Sequence, residues 1–161
     1  MRIGIIIIFY NNATQKDKNF FIAQIKDFES IELCLVDNNS KDDTLNVLQE
    51  IKEESGSRVS VIEIKKKTTE NAAKRAGARY MFNQFNLRHT GFINVNEIHQ
   101  KGEVLNSLVR SVYDNKEAII DENLKTIAKQ DVKQTLFKSV FSVVDYLKII
   151  NSNLNCLNPS L

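Results

Sequence analysis

One proline and five glycines among 161 residues are too few for a turn-rich all-β architecture, and they favour long helices. Cysteine is scarcer still. Cys34 falls in an apolar run and Cys156 near the C-terminus, so the two fit no metal-ligand spacing and are expected to stay reduced in a cytoplasmic protein. The two histidines, His89 and His99, have no Cys, Asp or second His at ligand spacing and read as structural or exposed. No run of about 18 apolar residues exists, so no membrane span is expected. A formal net charge of +2 is too small to imply nucleic acid or a membrane surface as partner. Gly4 to Phe9 is apolar, but it follows a single Arg and has no cleavage-like tail; it reads as a buried strand and not as a signal peptide.

What remains is an ordinary globular composition, 42% hydrophobic and 26% charged, in a chain of one-domain length. Arg2 to Phe9 is a β-branched run typical of a central parallel strand, ended by Tyr10-Asn11-Asn12. Phe21, Ile25 and Phe28 recur at helical spacing. A second strand is predicted over Ile31 to Val36. A second helix, with Leu45, Leu48 and Ile51 on one face, stops near Gly56. Arg58 to Ile64 is the third strand and Lys65-Lys66-Lys67 a basic turn. A third helix runs from about Thr69 to Asn83, where Ala72, Ala73, Ala76 and Gly77 permit close packing. A short fourth strand covers about Thr90 to Val95. The alternation predicts right-handed crossovers and a three-layer α/β domain with a mostly parallel sheet of about four strands.

Beyond Gly102 the pattern predicts helices only. Val104, Leu105, Leu108, Val109 and Val112 mark one. Ile120, Leu124 and Ile127 mark a second. Val132, Leu136, Phe137, Val140, Val144 and Leu147 mark a long third one that would cover the sheet or pair with a second copy or a partner chain. Asn151 to Leu161 is expected to fray. Residues 1–100 thus form the core of a single domain, and residues 101–161 a helical extension on it.

The segment Leu35-Val-Asp-Asn-Asn-Ser-Lys-Asp-Asp-Thr44 carries the most information. A strand ending in carboxylate and amide side chains beside a helix N-terminus is where open α/β sheets bind nucleotides. Ser40 is spaced to cap the helix, with Asp43 three residues later as in a capping box, so a plain strand-end turn and helix cap also fits.

Four marks in order resemble the nucleotide-sugar-binding half of family-2 glycosyltransferases, which have a GT-A fold. They are the first strand running into Tyr10-Asn11; Val36-Asp37-Asn38-Asn39-Ser40 with Asp42 and Thr44; Ala72-Ala73-Lys74-Arg75-Ala76-Gly77; and Gly91-Phe92-Ile93-Asn94-Val95-Asn96. The resemblance implies a UDP-like nucleotide-diphosphate sugar as ligand and, in an active member, sugar transfer to an acceptor hydroxyl. Tyr10 and Asn11 would lie near the base and ribose. Asp37, with Asn38 and Ser40 beside it, would accept the imide N–H of the base. Lys74 and Arg75 would face the diphosphate.

The chain departs from the family pattern in three places. Asn94-Val95-Asn96 stands where the family carries Asp-x-Asp, whose carboxylates hold Mn²⁺ or Mg²⁺; amides at Asn94 and Asn96 bring neutral oxygens only. Glu97 would point to the other face if the strand continued. Lys67-Thr68-Thr69 replaces an Asn-Gly-Gly turn, and Arg75 replaces an Asn, so added cations stand near the diphosphate. The acceptor half, with its general base, has no counterpart after Gly102; Glu70 and Glu97 are base candidates by position only. A degenerate, non-catalytic domain that binds a nucleotide or a protein is the alternative from another class. A receiver-like domain would need an acidic pair after the first strand, where this chain has Phe9-Tyr10-Asn11.

Overall fold

A computed structural model of the chain describes residues 1–13, 18–100, 104–130 and 139–157. These contain five strands, β1 (Ile3–Phe9), β2 (Ile31–Asp37), β3 (Val59–Glu63), β4 (His89–Asn94) and β5 (Phe141–Ser142). The helices are α1 (Lys18–Asp27), α2 (Thr44–Ser55), α3 (Glu70–Gln84), α4 (Val95–Gln100), α5 (Leu105–Asp114), α6 (Lys116–Ala128) and α7 (Val143–Leu157). The strands form one sheet in the order β3-β2-β1-β4-β5, and every pairing is parallel.

β1 lies at the centre with all seven residues buried, as its unbroken apolar run requires of a strand covered on both faces. Ile3, Ile5, Ile7 and Phe9 join the larger core, with α1, α2, α5, α6 and α7. Ile6 and Ile8 join a smaller core under α3. Each fully buried isoleucine contributes roughly 1.5–3 kcal/mol. The small residues of α3 do what their size suggests. A Cβ on Gly77 would lie 2.6 Å from Ile6 Cγ2 and 3.3 Å from Val36 Cγ2, so the helix sits closer to β1 and β2 than any side chain there allows.

The C-terminal third differs from the helices-only expectation. Phe141-Ser142 adds a fifth strand beside Gly91 and Phe92 of β4. The long third helix therefore does not run through Val140, which is buried in the segment just before β5; Val132, Leu136 and Phe137 lie outside the described residues. Two strand residues have no detectable period, and the apolar run across Val140 to Leu147 suits either structure. α7 does pack on the core, through Val143, Val144, Tyr146, Leu147 and Ile150. Of the tail expected to fray, Asn151 to Leu157 continue α7 with every residue exposed, and residues 158–161 lie outside the described residues. No described helix is long and apolar enough to cross a membrane.

Candidate functional site

Register brings the motif residues together. Phe9 pairs with Asp37, and Ile8 with Asn94, so Tyr10, Asp37 and Asn94 stand at the C-terminal ends of three adjacent strands. From β1 the chain goes next to β2, while β4 lies on the other side of β1. The crevice between the ends of β1 and β4 is therefore the topological switch point, where open α/β sheets place their ligands.

The loops after β1 and β2 are stitched to each other. The Asn11 backbone N–H donates to Ser40 Oγ (2.9 Å), and the Lys41 N–H donates to Asn11 Oδ1 (2.7 Å). Asn11 and Asn39 both sit in the left-handed region, at φ 52 and 58, which asparagine tolerates better than most residues. This arrangement overturns the capping expectation. Ser40 is no helix cap, because its hydroxyl serves Asn11, and α2 starts four residues later at Thr44. Asp42 does the local work: its carboxylate accepts from the Thr44 N–H (3.0 Å), the Thr44 hydroxyl and the Ala13 N–H (3.2 Å). Burial alone would raise the Asp42 carboxyl, but the bonds from Thr44 and Ala13 outweigh it and hold it below the usual carboxylate range.

Asp37 is buried. Its Oδ2 accepts from the Ser40 N–H at 3.3 Å, and its Oδ1 is a buried acceptor with no partner among the described residues. Asn38, also buried, is fully engaged: Nδ2 donates to the Thr68 carbonyl (2.8 Å), and Oδ1 accepts from the Thr68 N–H (3.0 Å). That clamp fixes the turn that leads into α3. Next to it, Lys67 places its Nζ 3.7 Å from the centroid of the Tyr10 ring.

The amides at the end of β4 are committed to protein partners. Asn94 Nδ2 donates to Glu70 Oε2 (2.7 Å), and Asn94 Oδ1 accepts from the Asn96 N–H (3.1 Å). Asn96 Nδ2 donates to the Tyr10 carbonyl (3.2 Å), and Asn96 Oδ1 accepts from Asn12 Nδ2 (2.8 Å). The strand ends at Asn94, so Glu97 lies in α4 and not on a continued strand. A divalent cation does not fit this donor set. Both amide oxygens already accept hydrogen bonds, the Glu70 carboxylate accepts from Asn94 Nδ2, and no cluster of three metal-binding side chains exists among the described residues.

Lys74 and Arg75 lie on α3, but not together at the crevice. Lys74 places its Nζ 4.6 Å from the centroid of the Phe92 ring, and Arg75 is exposed. The strand ends and their loops thus bring together Tyr10, Asn11, Asp37, Asn38, Ser40, Asn94 and Asn96, and Lys74 stands over Phe92 instead. Sequence inspection missed Asn12 as the hub of the crevice, since its amide links residues 84 positions apart. The reading of Lys67-Thr68-Thr69 as a turn with an added cation did not foresee that the Lys67 ammonium lies over Tyr10.

Residues 4–135 match the profile of glycosyl transferase family 2. Among solved structures, the crystal structure of S. aureus TarS 1-349 aligns at 15% identity and a TM-score of 0.42. That alignment covers 63% of this chain and 31% of the TarS chain, so this chain spans less than a third of that structure's length. No curated protein matches the sequence.

Proposed function

We propose, from the fact that this chain belongs to glycosyl transferase family 2, that the rim of its sheet binds the nucleotide of a nucleotide-diphosphate sugar. One observation carries this: Asp37, buried at the end of β2 beside the β1–β4 crevice, keeps one carboxylate oxygen without a partner among the described residues. A buried acceptor left unmade costs about 1–3 kcal/mol, and a ligand N–H in that position would recover it. A carboxylate accepts from a ring N–H, which uracil (N3) and guanine (N1) offer and cytosine lacks at its N3. Tyr10, at the end of β1, gives the base a ring to lie against.

Transfer of the sugar to an acceptor hydroxyl is the activity such a donor serves. With Asp37 given to the nucleobase, the candidate general base at the crevice is Glu70, hydrogen-bonded to Asn94. A non-catalytic nucleotide-binding domain is the second function, and a specific observation favours it: all four polar atoms of the Asn94 and Asn96 side chains are taken up by protein partners.

Thermal-shift and calorimetric titration with UDP, GDP and CDP tests the proposal. UDP or GDP should raise the melting temperature, CDP should not, and Asp37→Asn should remove the effect. No shift with any of the three at millimolar concentration sinks donor binding.

A further inference from the structure

We infer that the diphosphate of the bound nucleotide is neutralised by Lys67 and not by a divalent cation, an inference that rests on the donor-binding function proposed above. Two independent observations lead to it. The first is the donor set at the end of β4. A hard cation between diphosphate and protein needs carboxylate oxygens with free lone pairs. The structure has the Asn94 carbonyl oxygen facing the Asn96 N–H and the Asn96 carbonyl oxygen facing Asn12 Nδ2. Each oxygen thus has one lone pair committed to a protein donor, and neither carries the negative charge that a hard cation prefers. The second is the position of Lys67. Its ammonium lies over the Tyr10 ring, and the Tyr10 carbonyl is itself bonded by Asn96, the second residue of the degenerate motif. A positive charge therefore stands over the side chain of the residue whose backbone carbonyl is bonded by the degenerate motif.

The local build suits such a role. The turn that carries Lys67 is tied down by the Asn38–Thr68 clamp, so the backbone is fixed. The Lys67 side chain is exposed and has four carbons of reach. A base that stacks on Tyr10 displaces the ammonium from the ring and leaves it a diphosphate oxygen as its next partner. On α3, Lys74 is worse placed, because it sits over Phe92, two residues back along β4 from Asn94.

The test is calorimetric titration of the full chain with uridine and with UDP, first in EDTA and then in Mn²⁺. UDP should bind at least about tenfold tighter than uridine in EDTA, the scale of a charge-assisted contact, and Mn²⁺ should change that by less than about threefold. Lys67→Gln should bring the UDP-to-uridine ratio close to one with uridine affinity kept; Lys67→Arg should retain the ratio. UDP binding that depends on Mn²⁺, or a Lys67→Gln protein with its ratio intact, overturns the inference. Uridine binding without any gain from the diphosphate overturns it alone and leaves the base site standing. No binding of either ligand, with Asp37→Asn equally silent, removes the base site and this inference together.

Discussion

Asn38 and Thr68 hold each other by two hydrogen bonds, one in each direction between a side-chain amide and a backbone peptide unit, at 2.8 and 3.0 Å. The pair joins the end of β2 to the turn before α3, and so keeps Lys67 beside Tyr10. Asn38→Ala should cost about 2 kcal/mol, since two contacts of about 1 kcal/mol each are lost in a largely buried place. Asn38→Asp should cost at least as much at neutral pH, because a carboxylate oxygen would then face the Thr68 carbonyl. Urea unfolding of both variants gives the comparison; midpoints equal to the parent would show that the clamp contributes nothing.

Gly77 sits where α3 meets β1. Alanine there gains about 1 kcal/mol of helix propensity, but its Cβ would stand 2.6 Å from Ile6 Cγ2. Overpacking typically costs 1–3 kcal/mol, so Gly77→Ala should lose roughly 1 kcal/mol net. Ile6→Val keeps both γ carbons that meet the new Cβ, so combining it with Gly77→Ala should not return the loss. A stabilised Gly77→Ala single variant would contradict the close approach.

His89 should make the fold acid-sensitive. Burial, with Arg88 adding repulsion, holds its imidazole below the ordinary value. Its Nδ1 lies 2.7 Å from Asn123 Nδ2, and its Nε2 is buried without a partner among the described residues. The folded state therefore keeps the ring neutral, while the unfolded chain takes up a proton near pH 6.5. The unfolded state binds more protons in that window, so stability falls as pH drops through about 6.5 toward the lower folded value. The slope reaches at most about 1.4 kcal/mol per pH unit. Denaturant midpoints between pH 8 and 5 measure it, and His89→Gln should flatten this part of the curve.

The two thiols should separate cleanly by reactivity. Burial pushes the Cys34 thiol up to about 12, inside the smaller core, whereas Cys156 is exposed on α7. An aromatic disulfide reagent at pH 8 should titrate one thiol in the native protein and two in denaturant. Two fast thiols in the native protein would mean that the sheet opens around β2.

Glu70→Gln keeps an acceptor for Asn94 Nδ2 and removes the charge. Stability should change by less than about 0.5 kcal/mol, because the hydrogen bond survives. UDP affinity should rise, because a carboxylate near the diphosphate repels it. Weaker UDP binding in this variant would argue that Glu70 holds a cation after all.

The first hundred residues were legible because their elements are local statements. A seven-residue apolar run in β1, the repeat of Phe21, Ile25 and Phe28, and the small residues of α3 each specify an element from its own composition. The rim was legible to the same extent: strand ends are local, so Tyr10, Asp37 and Asn94 could be put at one edge of the sheet. Their partners could not. The bond from Asn96 to Tyr10 spans 86 positions and that from Asn12 to Asn96 spans 84, and side-chain amides carry no sign of which distant group they will meet. The same limit misled the reading of Ser40, whose spacing fits a cap but whose hydroxyl went to Asn11 once parallel pairing brought the two loops together.

By itself, then, the sequence determined a parallel α/β sheet, its order of elements through β4 and the edge where polar side chains collect. Those follow from hydrophobic period and turn chemistry within short windows. Only the tertiary structure decided that β5 joins the sheet, that the amides after β4 bond to protein groups, and that Lys67 stands over Tyr10. Each of these is settled by groups far apart in the chain competing for the same hydrogen-bond and packing partners, and that competition has an outcome only when the strands are side by side.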